Sequence, residues 1–222
     1  MQIHRKHLFI LSTKKKYNKK QTKEVVKYPS IENDEDIYMK IMTYIKSDLE
    51  RRRMPTFTGF IKEFLSIKGV YFRYQVWLRI VHFSKQNRLT KLLIAPWAYL
   101  VYRHYEYKYG IHANTNIHIG KGLKIIHGGN IYLNCASIGD NFTVYQGVTF
   151  GSKHDNDEIP IVENNVTVYT NAVICGPITI HNGSTIGANT YVDKDVPEGA
   201  TVIGAKSEII RREHSMNNCI NM

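Results

Sequence analysis

Residues 161–196 read IVENNVTVYTNAVICGPITIHNGSTIGANTYVDKDV, and the spacing within them decides the fold. An aliphatic residue recurs every six positions at Val162, Val168, Ile174, Ile180, Ile186 and Val192. The same phase runs back through Phe150, Val144 and Ile138, broken only at Asn156 inside the polar stretch 152–159. The position four after each member is mostly small or branched: Val148, Val166, Ala172, Ile178, Ser184, Thr190 and Val196. Inward pairs two apart, such as Ala172 and Ile174, carry the period of a short strand. Between them lie turn formers such as Asn182-Gly183 and Gly187-Ala188-Asn189. A short strand with a tight turn makes one flat side, and three sides close a coil of about eighteen residues whose stacked copies pair in parallel. The expected fold is therefore mainly β, a three-sided parallel solenoid. An immunoglobulin-like sandwich would need longer alternating strands.

Working outward, the phase slips upstream. Ile111, Ile117 and Leu123 read as one register and Ile119, Ile125 and Ile131 as another, so irregular first coils are expected. Before Gly110 the pattern is helical. Ile37, Ile41, Ile45 and Leu49 recur at spacing four up to Pro55, Phe60, Phe64 and Ile67 continue to Gly69, and 71–83 and 89–107 are apolar and aromatic. The resulting division is a basic, poorly ordered tail over 1–35, an α-helical domain over 36–109, the solenoid over 110–205 and a tail over 206–222. The aromatic stripe reads first as helix packed on helix. Its other reading is a basic amphipathic surface lying on a membrane.

The composition excludes several classes. At 43% hydrophobic and 22% charged, the 222 residues are globular in character. The longest uncharged apolar run, Leu92 to Tyr102, has eleven residues interrupted by Pro96, about half of what a bilayer crossing needs. The patch from Leu8 to Leu11 is too short for a secretory signal and is followed by lysines. Three widely spaced cysteines (Cys135, Cys175, Cys219) argue against a disulfide framework and for a cytoplasmic setting, with peripheral contact at the inner membrane face left open. The net charge of +11 divides unevenly: residues 1–109 hold 23 Lys and Arg against 9 Asp and Glu (+14), and residues 110–222 hold 7 against 10 (−3). An anionic partner is allowed by this charge, but nucleic acid is not selected by it.

The hexad run resembles the hexapeptide-repeat acyltransferases, and within them the serine acetyltransferase branch with its polysaccharide-modifying relatives. The carrying residues are Ile119-Gly-Lys-Gly-Leu123, Ile126-His-Gly-Gly129, Ile138-Gly-Asp-Asn141, Tyr145-Gln-Gly-Val-Thr149 with Gly151, Gly176-Pro-Ile-Thr-Ile180, Ile186-Gly-Ala188 and Lys194-Asp-Val-Pro197. Ser47-Asp48-Leu49 and Phe72-Arg-Tyr74 extend it weakly into the helices. The resemblance implies a left-handed parallel β-helix, a homotrimer, acetyl-CoA as co-substrate and no metal. It also implies that His127 is the general base, and that Gly151, Thr170 and Ala188, with Lys206 at a phosphate, line a cofactor groove between solenoids.

Ten histidines need sorting. His4, His7 and His214 fall in the tails, His154 and His181 on a loop and a turn, and His82 and His104 on helices as expected surface or capping residues. His112 and His118, six apart, fall on different faces, which disfavours a shared zinc. His127 stands before two glycines that clear side chains from around the ring. A neutral imidazole can remove the proton of an attacking alcohol, and backbone N–H groups can stabilise the oxyanion formed at a thioester carbonyl. One coil further on, Tyr145 or Gln146 is expected beside His127, to orient the ring or an acceptor. Cys135 and Cys175 read as core or wall residues.

The match departs from the family at four places. Ile126 stands where serine acetyltransferases carry Asp before the histidine, and His112 where an Asp orients the imidazole. Asn156-Asp-Glu-Ile-Pro160 replaces Asp-Arg-His-Pro, and Gly204-Ala-Lys-Ser-Glu208 replaces the usual solenoid end. A free amino acid in a closed site needs charged partners. The expected acceptor is therefore a carbohydrate hydroxyl, served by amides such as Asn114, Asn116, Asn130 and Asn134. Serine O-acetylation and a non-enzymatic polyanion- or membrane-binding trimer are the competing readings.

Overall fold

The computed structural model describes residues 34–53, 56–66, 69–154 and 158–204. Five helices come first: α1 (Asp34–Glu50), α2 (Phe57–Leu65), α3 (Val70–Ser84), α4 (Arg88–Leu93) and α5 (Ala95–Tyr109). Among these residues fourteen strands of two or three residues follow: β1 (Ile111–Ala113), β2 (His118–Ile119), β3 (Lys124–Ile125), β4 (Ile131–Leu133), β5 (Ser137–Ile138), β6 (Thr143–Val144), β7 (Thr149–Gly151), β8 (Ile161–Val162), β9 (Thr167–Val168), β10 (Val173–Cys175), β11 (Thr179–Ile180), β12 (Thr185–Ile186), β13 (Tyr191–Val192) and β14 (Thr201–Val202). They form three parallel sheets, ordered β1-β4-β7-β10-β13, β11-β8-β5-β2 and β14-β12-β9-β6-β3. Every third strand is a neighbour, so the chain winds as a three-sided left-handed β-helix of about five coils behind a helical N-terminal region.

The hexads build its interior. Leu133, Phe150, Ile174 and Val192 stack on one side. Ile119, Ile138, Val162 and Ile180 stack on the second, and Ile125, Val144, Val168 and Ile186 on the third. All are buried, as are Val148, Val166, Ala172, Ile178, Ser184, Thr190 and Val196 four positions later, while His154, four after Phe150, is exposed. The upstream slip has a different origin from the one the spacing suggests. Ile117 and Leu123 are the positions four after Ala113 and Ile119, so residues 113–125 keep one register. The true excess lies between Ile125 and Leu133, eight residues instead of six, and it holds His127. Corners are turned by residues with positive φ, among them Asn141, Asn165, Asn171 and Asn189, whose side chains tolerate that conformation. The expected break at Asn156 lies outside the described residues.

The helices close the open end of this prism. The first coil has no strand beyond it, and bare edge carbonyls are costly unless partnered. Arg79 on α3 donates to the carbonyls of Ile119 (2.6 Å) and Gly120 (2.7 Å), Gln75 to Leu123 (2.5 Å) and Arg52 to Ile125 (3.3 Å). Tyr102 on α5 donates to Ala113 (2.8 Å). Asp48 on α1 accepts Arg79 Nε and Nη2, each at 3.0 Å, and the Leu123 N–H at 2.8 Å. Burial pushes the Asp48 carboxyl up from its ordinary range, and Arg79 opposes that. Tyr74, Leu78, Val81, Ala98 and Tyr102 make one continuous apolar core with the coils, while Ile45, Leu49, Phe72 and Val76 form a second cluster.

His82, read from sequence as a surface or capping residue, is instead largely enclosed. Its Nδ1 lies 3.1 Å from the Thr115 carbonyl, so that nitrogen carries the proton. Burial lowers its pKa to about 4, with Arg79 adding to the effect. In the unfolded chain the ring titrates near 6.5. As pH falls from that value towards 4, the unfolded state binds a proton that the fold refuses, so stability drops. Denaturant melts should lose about 2–3 kcal/mol between pH 7 and 4.5 from this group. His82→Gln should remove that part of the pH dependence; an unchanged slope would reject the assignment.

Candidate functional site

Strand register brings four of the residues singled out in the sequence onto one edge. His127, Gln146, Thr170 and Ala188 each stand two residues after Ile125, Val144, Val168 and Ile186, which are successive partners across β3, β6, β9 and β12. With coils about 4.8 Å apart, the row spans roughly 14 Å of the prism. Tyr145 and Tyr169 form the adjoining row, their rings stacked at 4.9 Å. Tyr145 meets the His127 ring edge-on at 6.3 Å between centroids. The expected neighbour of His127 is therefore where the coil length puts it.

Local geometry explains why the imidazole is displayed. The two extra residues at this corner swing the chain out, with Gly129 at φ +111° and Asn130 at φ +53°. The Gly129 carbonyl accepts the Gly147 N–H of the next coil at 2.9 Å, which ties the bulge down. A Cβ at Gly128 would stand 2.2 Å from the Tyr71 ring, so only glycine lets α3 press against the residue after His127. Tyr71 in turn meets Tyr109 edge-on at 5.8 Å, joining the helices to the loop. The His127 ring is exposed, and no described side chain hydrogen-bonds to it. The Gln146 Oε1, one coil away on the same edge, is buried without a hydrogen-bond partner. An acceptor atom left in that state accommodates a donor brought by a ligand.

The remaining candidates lie elsewhere. Gly151 ends β7 (Thr149–Gly151), beyond the corner that follows Gln146, with open space where a Cβ would be. Its register partner is Cys175, whose thiol is pushed up by partial burial. Lys206 lies outside the described residues. His112 is not brought to His127: on β1 its ring stacks on Tyr132 at 4.6 Å, and Nδ1 stands 3.3 Å from the Glu106 carboxylate. Glu106 is buried, pairs with Arg103 and faces Tyr102. Sequence reasoning passed over this carboxylate, although an acid amid the aromatic residues of α5 was the available signal. The amides expected at an acceptor serve turns in part: Asn114 Oδ1 accepts the Asn116 N–H at 3.0 Å, and Asn130 takes the left-handed conformation. His181 is paired rather than free, 3.1 Å from Glu163. Among the described residues, no cluster of three His, Cys, Asp or Glu could hold a metal ion.

The chain is similar to serine acetyltransferases in both sequence and fold. Over 107 residues it is 36% identical to the serine acetyltransferase of Helicobacter pylori strain J99, covering 47% of this chain and 63% of that protein. Against the serine acetyltransferase of Staphylococcus aureus strain N315, also 36% identical, it spans half of the relative's length. No family model matches. Among solved structures, Neisseria gonorrhoeae serine acetyltransferase in complex with serine superposes with a TM-score of 0.59 at 26% identity, over 78% of this chain and 73% of that one. A serine acetyltransferase in complex with CoA gives a TM-score of 0.57 at 25% identity, over 79% and 73%.

Proposed function

We propose that this chain is an O-acetyltransferase that moves the acetyl group of acetyl-CoA to a hydroxyl, with His127 as general base. The carrying observation is the edge on which His127, Gln146, Thr170 and Ala188 follow one another on successive coils. An extended thioester lying along that edge would place its carbonyl beside the imidazole. His127 takes the hydroxyl proton as the oxygen attacks, the tetrahedral oxyanion collapses, and CoA leaves as the thiol after regaining the proton. No acyl-enzyme is required. The edge is at the surface, which suits a homotrimer in which a neighbouring solenoid supplies the other wall.

L-serine is the acceptor best supported by the relatives, which are serine acetyltransferases and one of which holds bound serine. A second reading, a neutral sugar hydroxyl, rests on the residues around His127. Ile126, Gly128, Gly129, Tyr145 and Gln146 are all uncharged, and an amino acid's ammonium and carboxylate are expensive to leave unpaired. The experiment is thiol release from acetyl-CoA with L-serine or with hydroxylated glycans. Serine-dependent release supports the first reading. Release with glycans alone transfers the proposal to carbohydrate, and none above background hydrolysis with either overturns it.

A further inference from the structure

The helices do not all bury their apolar faces. The aromatic residues of α3 pack inward, with Phe72, Tyr74 and Phe83 fully buried. On α4 and α5 the arrangement is reversed. The face of α5 against the rest of the protein carries Ala95, Ala98, Tyr102 and Glu106. The outward face carries Leu92 (74% exposed), Trp97 (73%), Leu100 (62%) and Tyr107 (66%), with Leu89 and Leu93 beside them. The positions 89, 92, 93, 97, 100, 104 and 107 continue one helical stripe across both helices. A stripe of this size in contact with water marks an interaction surface.

The charges around it select the partner. Residues 85–109 contain five cations (Lys85, Arg88, Lys91, Arg103, Lys108) and one carboxylate, Glu106. That carboxylate is buried and paired with Arg103, which leaves Lys85, Arg88, Lys91 and Lys108 around the rim of the stripe with no ion-pair partner among the described residues. Lys85, Lys91 and Arg103 also line a cavity of about 820 Å³ between these helices and the loop after β1. A second copy brought face to face would set this rim against its own like charges. A bilayer surface rich in anionic headgroups takes both parts: leucine and tryptophan enter the acyl boundary, and Lys and Arg meet phosphates. No helix among the described residues is long and apolar enough to cross a membrane, so this contact is peripheral.

We propose that the outward face of α4 and α5 docks this protein on an anionic lipid bilayer. The inference is independent of the acetyltransferase reading. The test uses the full chain with vesicles of phosphatidylcholine, with and without phosphatidylglycerol. Binding should require phosphatidylglycerol and weaken with salt, and Trp97 emission should shift to the blue while the half-buried Trp77 serves as internal control. The double variant Leu92→Glu/Trp97→Glu alters only exposed side chains. It should keep the melting temperature and lose vesicle binding by about tenfold or more. Absent binding overturns the proposal, as does equal binding to neutral vesicles. Binding that survives the double variant assigns it to other basic residues, and a changed oligomeric state assigns the face to a second copy; either result rejects the proposal.

Discussion

His127→Ala is expected to lower acetyl transfer by roughly 10²–10⁴-fold, the usual worth of a positioned general base. Because the ring is exposed and hydrogen-bonds to no described side chain, the fold should hardly register the change, with stability within about 0.5 kcal/mol of the parent. The other positions of the edge remain in place on their own coils, so KM for acetyl-CoA should stay near the parent value while kcat falls. That split distinguishes proton removal from cofactor binding. Gln146→Leu supplies the contrast. It removes a buried, unpartnered oxygen, so the free enzyme should gain or keep stability while substrate binding weakens. Transfer by His127→Ala within about threefold of the parent would place the base elsewhere.

Asp48→Ala should destabilise the protein by about 3–5 kcal/mol, because it strands a buried guanidinium. The carboxylate receives two hydrogen bonds from Arg79 and one from the Leu123 N–H. Without it, Arg79 stays enclosed against the first coil with its charge uncompensated, and the Leu123 N–H loses its acceptor. For a chain of this size the melting temperature should fall by about 10 °C. The apolar pair Asp48→Leu/Arg79→Met should recover only part of this. Arg79 also satisfies the carbonyls of Ile119 and Gly120, and no hydrocarbon replaces that. Full recovery in the double variant would show that capping the coil edge contributes little.

The Asp48–Arg79 pair also marks where sequence reading stops. Asp48 lies three positions after Ile45 on the apolar side of α1, a signal that the sequence reading passed over, and its partner lies 31 residues away in another helix. The same holds for Glu106 and His112, which meet between α5 and β1 at the wall of a cavity of about 260 Å³ that Tyr132 also lines. Pairings of this kind depend on how helices are laid across the end of the solenoid, and periodicity carries no record of that. His127 illustrates both sides. Its flanking glycines drew notice, whereas the two-residue excess that displays it was misplaced upstream, since Ile117 and Leu123 are buried four-after positions and resemble a second register.

The solenoid was determined by the sequence alone. A six-residue repeat of branched side chains specifies strand, turn and coil length together, because each coil contacts only its neighbours and each position meets its own equivalent one coil on. The row formed by His127, Gln146, Thr170 and Ala188 follows from the same rule. Only the tertiary structure decided how the prism is capped, which histidine is enclosed and which helical face is left to water. Those depend on contacts between segments distant in the chain, where a buried charge or an unpaired carbonyl is satisfied by whatever the packing brings within reach.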